Sequence, residues 1–204
     1  LGLTQAARRI GLLGGAFDPP HNAHLAVARA ALDQLGLDEL RVIPTGVAWH
    51  KSRALTPPEH RLAMVRLAFA GLPRVLIDDR ELRRPGPTYT IDTLEALRSE
   101  HPQAELYLII GGDQWASLTT WRRWRELAQL AHLCVADRPD LAQSDLSRGP
   151  VDGAAIHLQM APMPLSATSL REHLAAGRPI AQRSGDLPEA VARYISEHHL
   201  YVRS

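Results

Sequence analysis

Two adjacent glycines, Gly14 and Gly15, separate a short apolar run, Arg9 to Leu13, from an Ala- and Leu-rich stretch, Leu25 to Leu35. The order predicts a first strand that hands over through a tight turn to a first helix. Such a turn constrains the chain strongly, because glycines let backbone N–H groups approach an anion while the helix start offers unpaired N–H groups and a positive dipole end. His21 and His24 lie three residues apart at the start of that helix, so both imidazoles can project from one face toward the same anion. The residues thus allow a triphosphate cradle, and they equally allow a plain turn followed by two surface histidines.

Several other chemistries are excluded by pattern. A zincin helix needs histidines at i and i+4 with a glutamate between them, and no such glutamate is present. The Gly-x-x-x-x-Gly-Lys-Ser/Thr phosphate loop and the dinucleotide-binding glycine fingerprint are also missing. With 23 basic and 22 acidic residues, the balance of charge gives no sign of a nucleic-acid or anionic-membrane surface. Any anionic ligand must then be met by local charge.

The 204 residues suit one domain with a substantial core. A single cysteine, Cys134, excludes an internal disulfide, and its apolar neighbours predict a buried strand position rather than a catalytic thiol. No apolar run approaches the roughly 18 residues of a membrane span, and the arginines near Leu13 do not precede a secretory core. A cytoplasmic protein is expected.

Further along, Leu40 to Pro44 reads as a second strand and Thr45 to Leu55 as a loop carrying Trp49, His50 and Lys51, either a lid or a solvated segment. Thr56-Pro57-Pro58-Glu59 predicts a helix capped by Thr56 and running to about Ala70. Val75 to Asp78 is a third strand, Arg80 to Pro87 a basic, proline-broken loop, and Ile91 to Glu100 a helix. The uninterrupted apolar run Leu106 to Ile110 predicts a central parallel strand covered on both faces.

Gly111-Gly112-Asp113 follows that strand, where ligands of open α/β sheets collect, so Asp113 either meets a ribose or ring or caps the next helix. Thr119-Thr120-Trp121 predicts a helix start that leaves the Trp121 ring free to stack on a planar ligand. Of the tryptophans clustered at Trp115, Trp121 and Trp124, one or two are expected in the core. Leu133 to Ala136 and Ile156 to Met160 are fifth and sixth strands, separated by a polar, turn-rich loop over Asp140 to Gly153. Ser166, Thr168 and Arg171 put hydroxyls at a helix start and a guanidinium one turn in. A last helix, from Pro188-Glu189 to about His198, carries an apolar stripe of Val191, Tyr194 and Ile195. Alternating strands and helices predict an α/β, Rossmann-like, doubly wound and mostly parallel sheet with helices on both faces.

Gly14-Gly15-x-Phe17-Asp18-Pro19-x-His21-x-x-His24 resembles the first signature of the nucleotidyltransferase superfamily, and Ser166-x-Thr168-x-x-Arg171 resembles the second. Ala16 and Ala23 depart from it, standing where the family usually has Thr and Gly. Pro87 to Thr90, Ile110 to Asp113, Thr120-Trp121 and Arg138-Pro139 look like the bacterial nicotinate-nucleotide adenylyltransferase family, and the likeness runs from about Arg9 to Tyr201. The resemblance implies transfer of AMP from ATP to nicotinate mononucleotide, with Mg²⁺ carried on the ATP phosphates and no metal held by the protein alone. It implies that Gly14, Gly15, Ala16, Phe17, Asp18, Gly111 and Asp113 line the ATP site, with His21 and His24 on the triphosphate and the α-phosphoryl. Arg171 and Ser166 or Thr168 would hold the β- and γ-phosphates. On the acceptor side it implies Tyr89, Thr90, Asp113, Trp121, Arg122 and Arg138, with backbone donors at Thr90 and Arg122 favouring an acid over an amide. The other expectations weighed are a superfamily relative acting on phosphopantetheine and a non-catalytic nucleotide sensor.

Overall fold

The computed structural model of the chain describes residues 7–47, 54–136, 155–161, 163–183 and 185–202. Arg138, the Trp49 to Lys51 cluster and the Asp140 to Gly153 loop lie outside the described residues.

Six strands form one sheet: β1 (Arg9–Gly15), β2 (Glu39–Pro44), β3 (Val75–Ile77), β4 (Glu105–Gly111), β5 (His132–Ala136) and β6 (Ile156–Leu158). All pair in parallel, in the order β3-β2-β1-β4-β5-β6. Side chains alternate across a strand, and in the middle of the sheet both sets are apolar, which leaves two faces to cover. On one face, Leu13, Val42, Ile109 and Cys134 pack under α1 (Asn22–Gln34) and α2 (Pro58–Phe69), and under two helices from the end of the chain, Ala167–Ala175 and Glu189–Glu197. On the other, Ile10, Leu12, Leu106, Leu108, Ile110 and Val135 pack against Ile91, Leu94 and Leu97, and against Trp115, Leu118 and Leu127. The sheet is thus doubly wound, and its order reverses direction between β1 and β4. At such a switch point the loops leaving adjacent strands diverge and open a crevice at the carboxyl ends.

Local starts explain several departures from the expected boundaries. α2 begins at Pro58 with Pro57 as its cap, and the Thr56 side chain caps nothing; its N–H goes to Asp18 Oδ2 (3.2 Å) and its carbonyl accepts from Arg61 Nε (3.0 Å). The basic segment after β3 is not all loop, because Arg80–Arg83 forms one short helix, α3. It is pinned by Asp78, which accepts from the Arg80 backbone N–H and Nε. α4 spans Thr90–Glu100 and α5 spans Gly112–Ala116. Trp121 does not open a helix. It follows a single 3₁₀ turn, Leu118–Thr120, and the next helix, α6 (Trp124–Leu130), begins after Arg123 has taken a left-handed backbone conformation (φ 53°). The two closing helices are α7 (Ala167–Ala175) and α8 (Glu189–Glu197), with Val191 and Ile195 buried as the stripe predicts. Cys134 is buried within β5, and burial pushes its thiol up to about 12, far from a nucleophile's range.

Candidate active site

The ends of β1 and β4 meet in two cavities that share Gly14, Gly15 and Gln114. The larger, of about 660 Å³, is bordered by the β1–α1 turn, the start of α5 and the start of α7. It brings together Gly14, Gly15, Ala16, Phe17, Asp18, His21, His24, Gly111, Asp113, Ser166, Thr168 and Arg171, residues drawn from three separate stretches of sequence. The smaller, of about 80 Å³, lies on the other side of the glycine pair, among Tyr89, Thr90, Trp121 and Arg122, with Glu81, Thr88 and Thr93 at its wall.

The two glycines at this junction differ in what surrounds them. A Cβ on Gly14 would project into open room, whereas one on Gly15 would come within 3.2 Å of the Phe17 ring. Phe17 itself has a left-handed backbone (φ 46°), and its ring is buried in the core edge-on to Phe69 and His24. What Phe17 offers the cavity is backbone.

His21 caps α1 and His24 is its third residue. His24 Nδ1 accepts the His21 backbone N–H at 3.1 Å, the part that a Glu or Gln side chain plays in a capping box. That bond requires an unprotonated Nδ1, so the neutral ring carries its proton on Nε2 and can donate it elsewhere. The two rings lie 3.8 Å apart. The three-residue spacing therefore serves helix geometry and the pairing of imidazoles at once.

Arg171 reaches the same loop from the opposite end of the sequence. Its Nη1 donates to the Asp18 carbonyl at 2.8 Å and its Nη2 to Thr168 Oγ1 at 3.0 Å, while Ser166 caps α7 by accepting from Ser169 N. Asp18 lines the cavity, yet its carboxylate is spent on structure: Oδ2 accepts from Thr56 N and Oδ1 from Tyr201 Oη at 2.7 Å. A buried carboxylate with two donors in place is an anchor, so Asp18 fixes the turn that lines the cavity. Asp113, in the first turn of α5, is exposed, and the cap position is taken by Gly111. The capping alternative for Asp113 is thereby removed.

Trp121 is half-buried at the mouth of the smaller cavity. Arg122 places its guanidinium 4.6 Å from the centre of the Tyr89 ring, a cation–π contact across the pocket. Arg123 ties this turn to α4 through Glu95 (2.8 Å) and to α6 through Glu126 (2.6 Å). Thr90 is the first residue of α4, and no side chain caps that end.

Four residues escaped the sequence reading. Arg61 is only 2% exposed and donates to the carbonyls of Ala16 (3.0 Å), Thr45 (2.8 Å) and Thr56, holding the phosphate turn from beneath. Its position on the same stripe of α2 as Met64, Val65 and Ala68 was the available signal, since an arginine among core positions must be satisfied locally. Tyr201 and the Glu81–Thr93 pair carried no comparable signal.

A cytidylyltransferase-like family model matches residues 12–173. Among curated relatives, a protein named probable nicotinate-nucleotide adenylyltransferase from Albidiferax ferrireducens is 50% identical over 200 residues, covering 95% of this chain and 98% of that one. One of the same name from Methylibium petroleiphilum is 46% identical, covering 96% and 93%. Among solved structures, Plasmodium falciparum nicotinic acid mononucleotide adenylyltransferase complexed with APC shares the fold at a TM-score of 0.79 with 20% identity, covering 95% of this chain and 97% of that one.

Proposed function

The chain belongs to the nicotinate-nucleotide adenylyltransferase family, and from that premise we propose that it carries the adenylyl group of ATP to the phosphate of nicotinate mononucleotide, releasing pyrophosphate and forming nicotinate adenine dinucleotide for NAD biosynthesis. One observation carries the division of labour: two unlike cavities share a wall at Gly14 and Gly15, so two ligands can meet there end to end.

The acceptor phosphate is already an anion, and its oxygen attacks the α-phosphorus while the bond to the β-phosphate oxygen breaks and that oxygen leaves with its electron pair on pyrophosphate. No covalent intermediate is needed. Catalysis rests on alignment and on donors set in advance for developing charge. In this reading the Gly15 to Phe17 N–H groups, His21 and His24 Nε2–H serve the triphosphate and α-phosphoryl. Arg171, steadied by Asp18 and Thr168, serves the departing phosphates with Ser166. Gly111 and Asp113 stand at the nucleoside side of the same cavity.

The acceptor takes the smaller cavity, with Trp121 against the pyridine ring and the uncapped Thr90 end of α4 toward the carboxylate. Orphan N–H groups and the positive dipole end favour an acid, since an amide brings its own donors and no charge. Tyr89 and Arg122 border this pocket, and Arg138 completes the proposed set from outside the described residues. Mg²⁺ fits as an ion carried by ATP: of the two carboxylates lining the larger cavity among the described residues, Asp18 is already engaged and Asp113 belongs to the nucleoside side, so the phosphate oxygens themselves would hold the ion. When bound, the ion neutralises triphosphate charge. A single domain acting in the cytoplasm completes the proposal, supported by the continuous sheet and the lone buried thiol.

Pyrophosphate release tests it directly, with ATP and a panel of nicotinate mononucleotide, nicotinamide mononucleotide and phosphopantetheine. Turnover should be highest with the acid mononucleotide. Preference for phosphopantetheine, or ATP binding with no turnover of any acceptor, would overturn the assignment.

A further inference from the structure

Among the described residues Glu81 is the one carboxylate at the wall of the smaller cavity, and it is only 8% exposed. A carboxylate there is out of keeping with a pocket that takes an anionic acid: facing the ligand, it would repel the acid and accept a hydrogen bond from the corresponding amide. The structure turns it aside. Thr93 Oγ1 donates to Glu81 Oε1 at 2.8 Å, and the same hydroxyl oxygen accepts from Arg84 Nη1 at 3.4 Å, so its single proton is directed at Glu81. The Thr88 hydroxyl, 4% exposed, stands beside the carboxylate as well. The Gly46 backbone also meets the carboxylate, and it packs so closely on α3 that a Cβ there would fall 2.2 Å from the Glu81 main-chain carbonyl oxygen.

We propose that Thr93 is a specificity-determining positioning residue: by holding the Glu81 carboxylate away from the bound mononucleotide it withdraws a charged hydrogen-bond acceptor from the pocket, and so selects an acid over an amide. Burial pushes the Glu81 carboxyl above its ordinary range, against the opposing hydrogen bonds and the charge of Arg84. The inference rests on the reading of the smaller cavity as the acceptor subsite.

The test is kcat/KM for nicotinate mononucleotide divided by that for nicotinamide mononucleotide, with the KM for ATP and thermal midpoint measured alongside. Thr93→Val keeps the shape and removes the proton donor, and the ratio should fall about tenfold with the KM for ATP unchanged. Thr93→Ser retains the hydroxyl and should keep the ratio within about twofold. Glu81→Gln removes the charge and should raise the ratio through a lower KM for the acid. A loss of fold alone would lower both acceptors together, so an unchanged ratio in Thr93→Val overturns the role. Should Thr93→Val not fold, an unchanged or lower ratio in Glu81→Gln overturns it instead. If the unaltered chain shows no preference between the two acceptors, the subsite reading itself fails; if that preference exists and survives Thr93→Val, only the Thr93 role does.

Discussion

The two cavities are walled in different ways. Around the larger, the phosphate turn is fixed from below by two groups that solvent hardly reaches, Arg61 gripping three carbonyls and Asp18 taking Thr56 and Tyr201, and half-buried Arg171 closes on Asp18 from α7. Around the smaller, the wall nearest the opening is a stretch between a 3₁₀ turn and α6, with exposed Arg122 lying across Tyr89 and Arg123 bracing the turn against α4. Stabilising charge that develops during reaction requires donors that do not reorganise, and a buried network supplies that rigidity. Recognising a second substrate requires shape and one planar face, which a short braced loop can provide.

If this contrast is sound, substitutions on the two sides should separate in kinetics. The largest effect is expected at His24. His24→Ala should lower kcat by roughly 10²- to 10³-fold, and it should also cost about 1 kcal/mol of stability, because the ring supports the first turn of α1. His24→Gln divides the two contributions: a glutamine at that position can still accept the His21 N–H, so the thermal midpoint should recover while turnover stays low. Near-normal turnover in His24→Gln would take the imidazole off the phosphates. Next in size, Trp121→Ala should raise the KM for the pyridine nucleotide roughly tenfold or more and leave that for ATP nearly constant. Equal rises in both would mean that the shared glycine wall does not separate the ligands.

The same contrast governs what could be read from sequence. The phosphate side was legible because its glycines, histidines and the Ser166 to Arg171 helix start sit in short contiguous stretches whose spacing follows helix periodicity. The doubly wound sheet was legible for a similar reason, since the buried central run Leu106 to Ile110 admits few other environments. The acceptor side was read less well. Trp121 was expected to begin a helix, but the left-handed turn at Arg123 that delays α6 is stabilised by Glu95, nearly thirty residues earlier in the chain, and no local propensity reports such a contact. Glu81 and Thr93 were missed because their meaning arises only when α3 and α4 are packed side by side. The anchoring contact of Asp18 was not legible because its partner Tyr201 lies 183 residues away.

Tyr201 provides the smallest and most discriminating separation. Burial pushes its hydroxyl far above the ordinary phenol range, with the neighbouring Asp18 charge adding to the rise, so it remains a neutral donor across the working pH of an enzyme. Tyr201→Phe deletes that donor to Asp18 Oδ1, while Thr56 still serves Oδ2. The loss should cost about 1 to 2 kcal/mol in a denaturant titration. Because Asp18 in turn holds Arg171, the loosened turn should raise the KM for ATP a few-fold, roughly the worth of a weakened hydrogen bond. The acceptor KM should not move, since nothing in the Tyr201–Asp18–Arg171 chain reaches the smaller cavity among the described residues. A matching rise in the acceptor KM would mean that the buried network braces both cavities, and that the rigidity credited to one side is shared by the other.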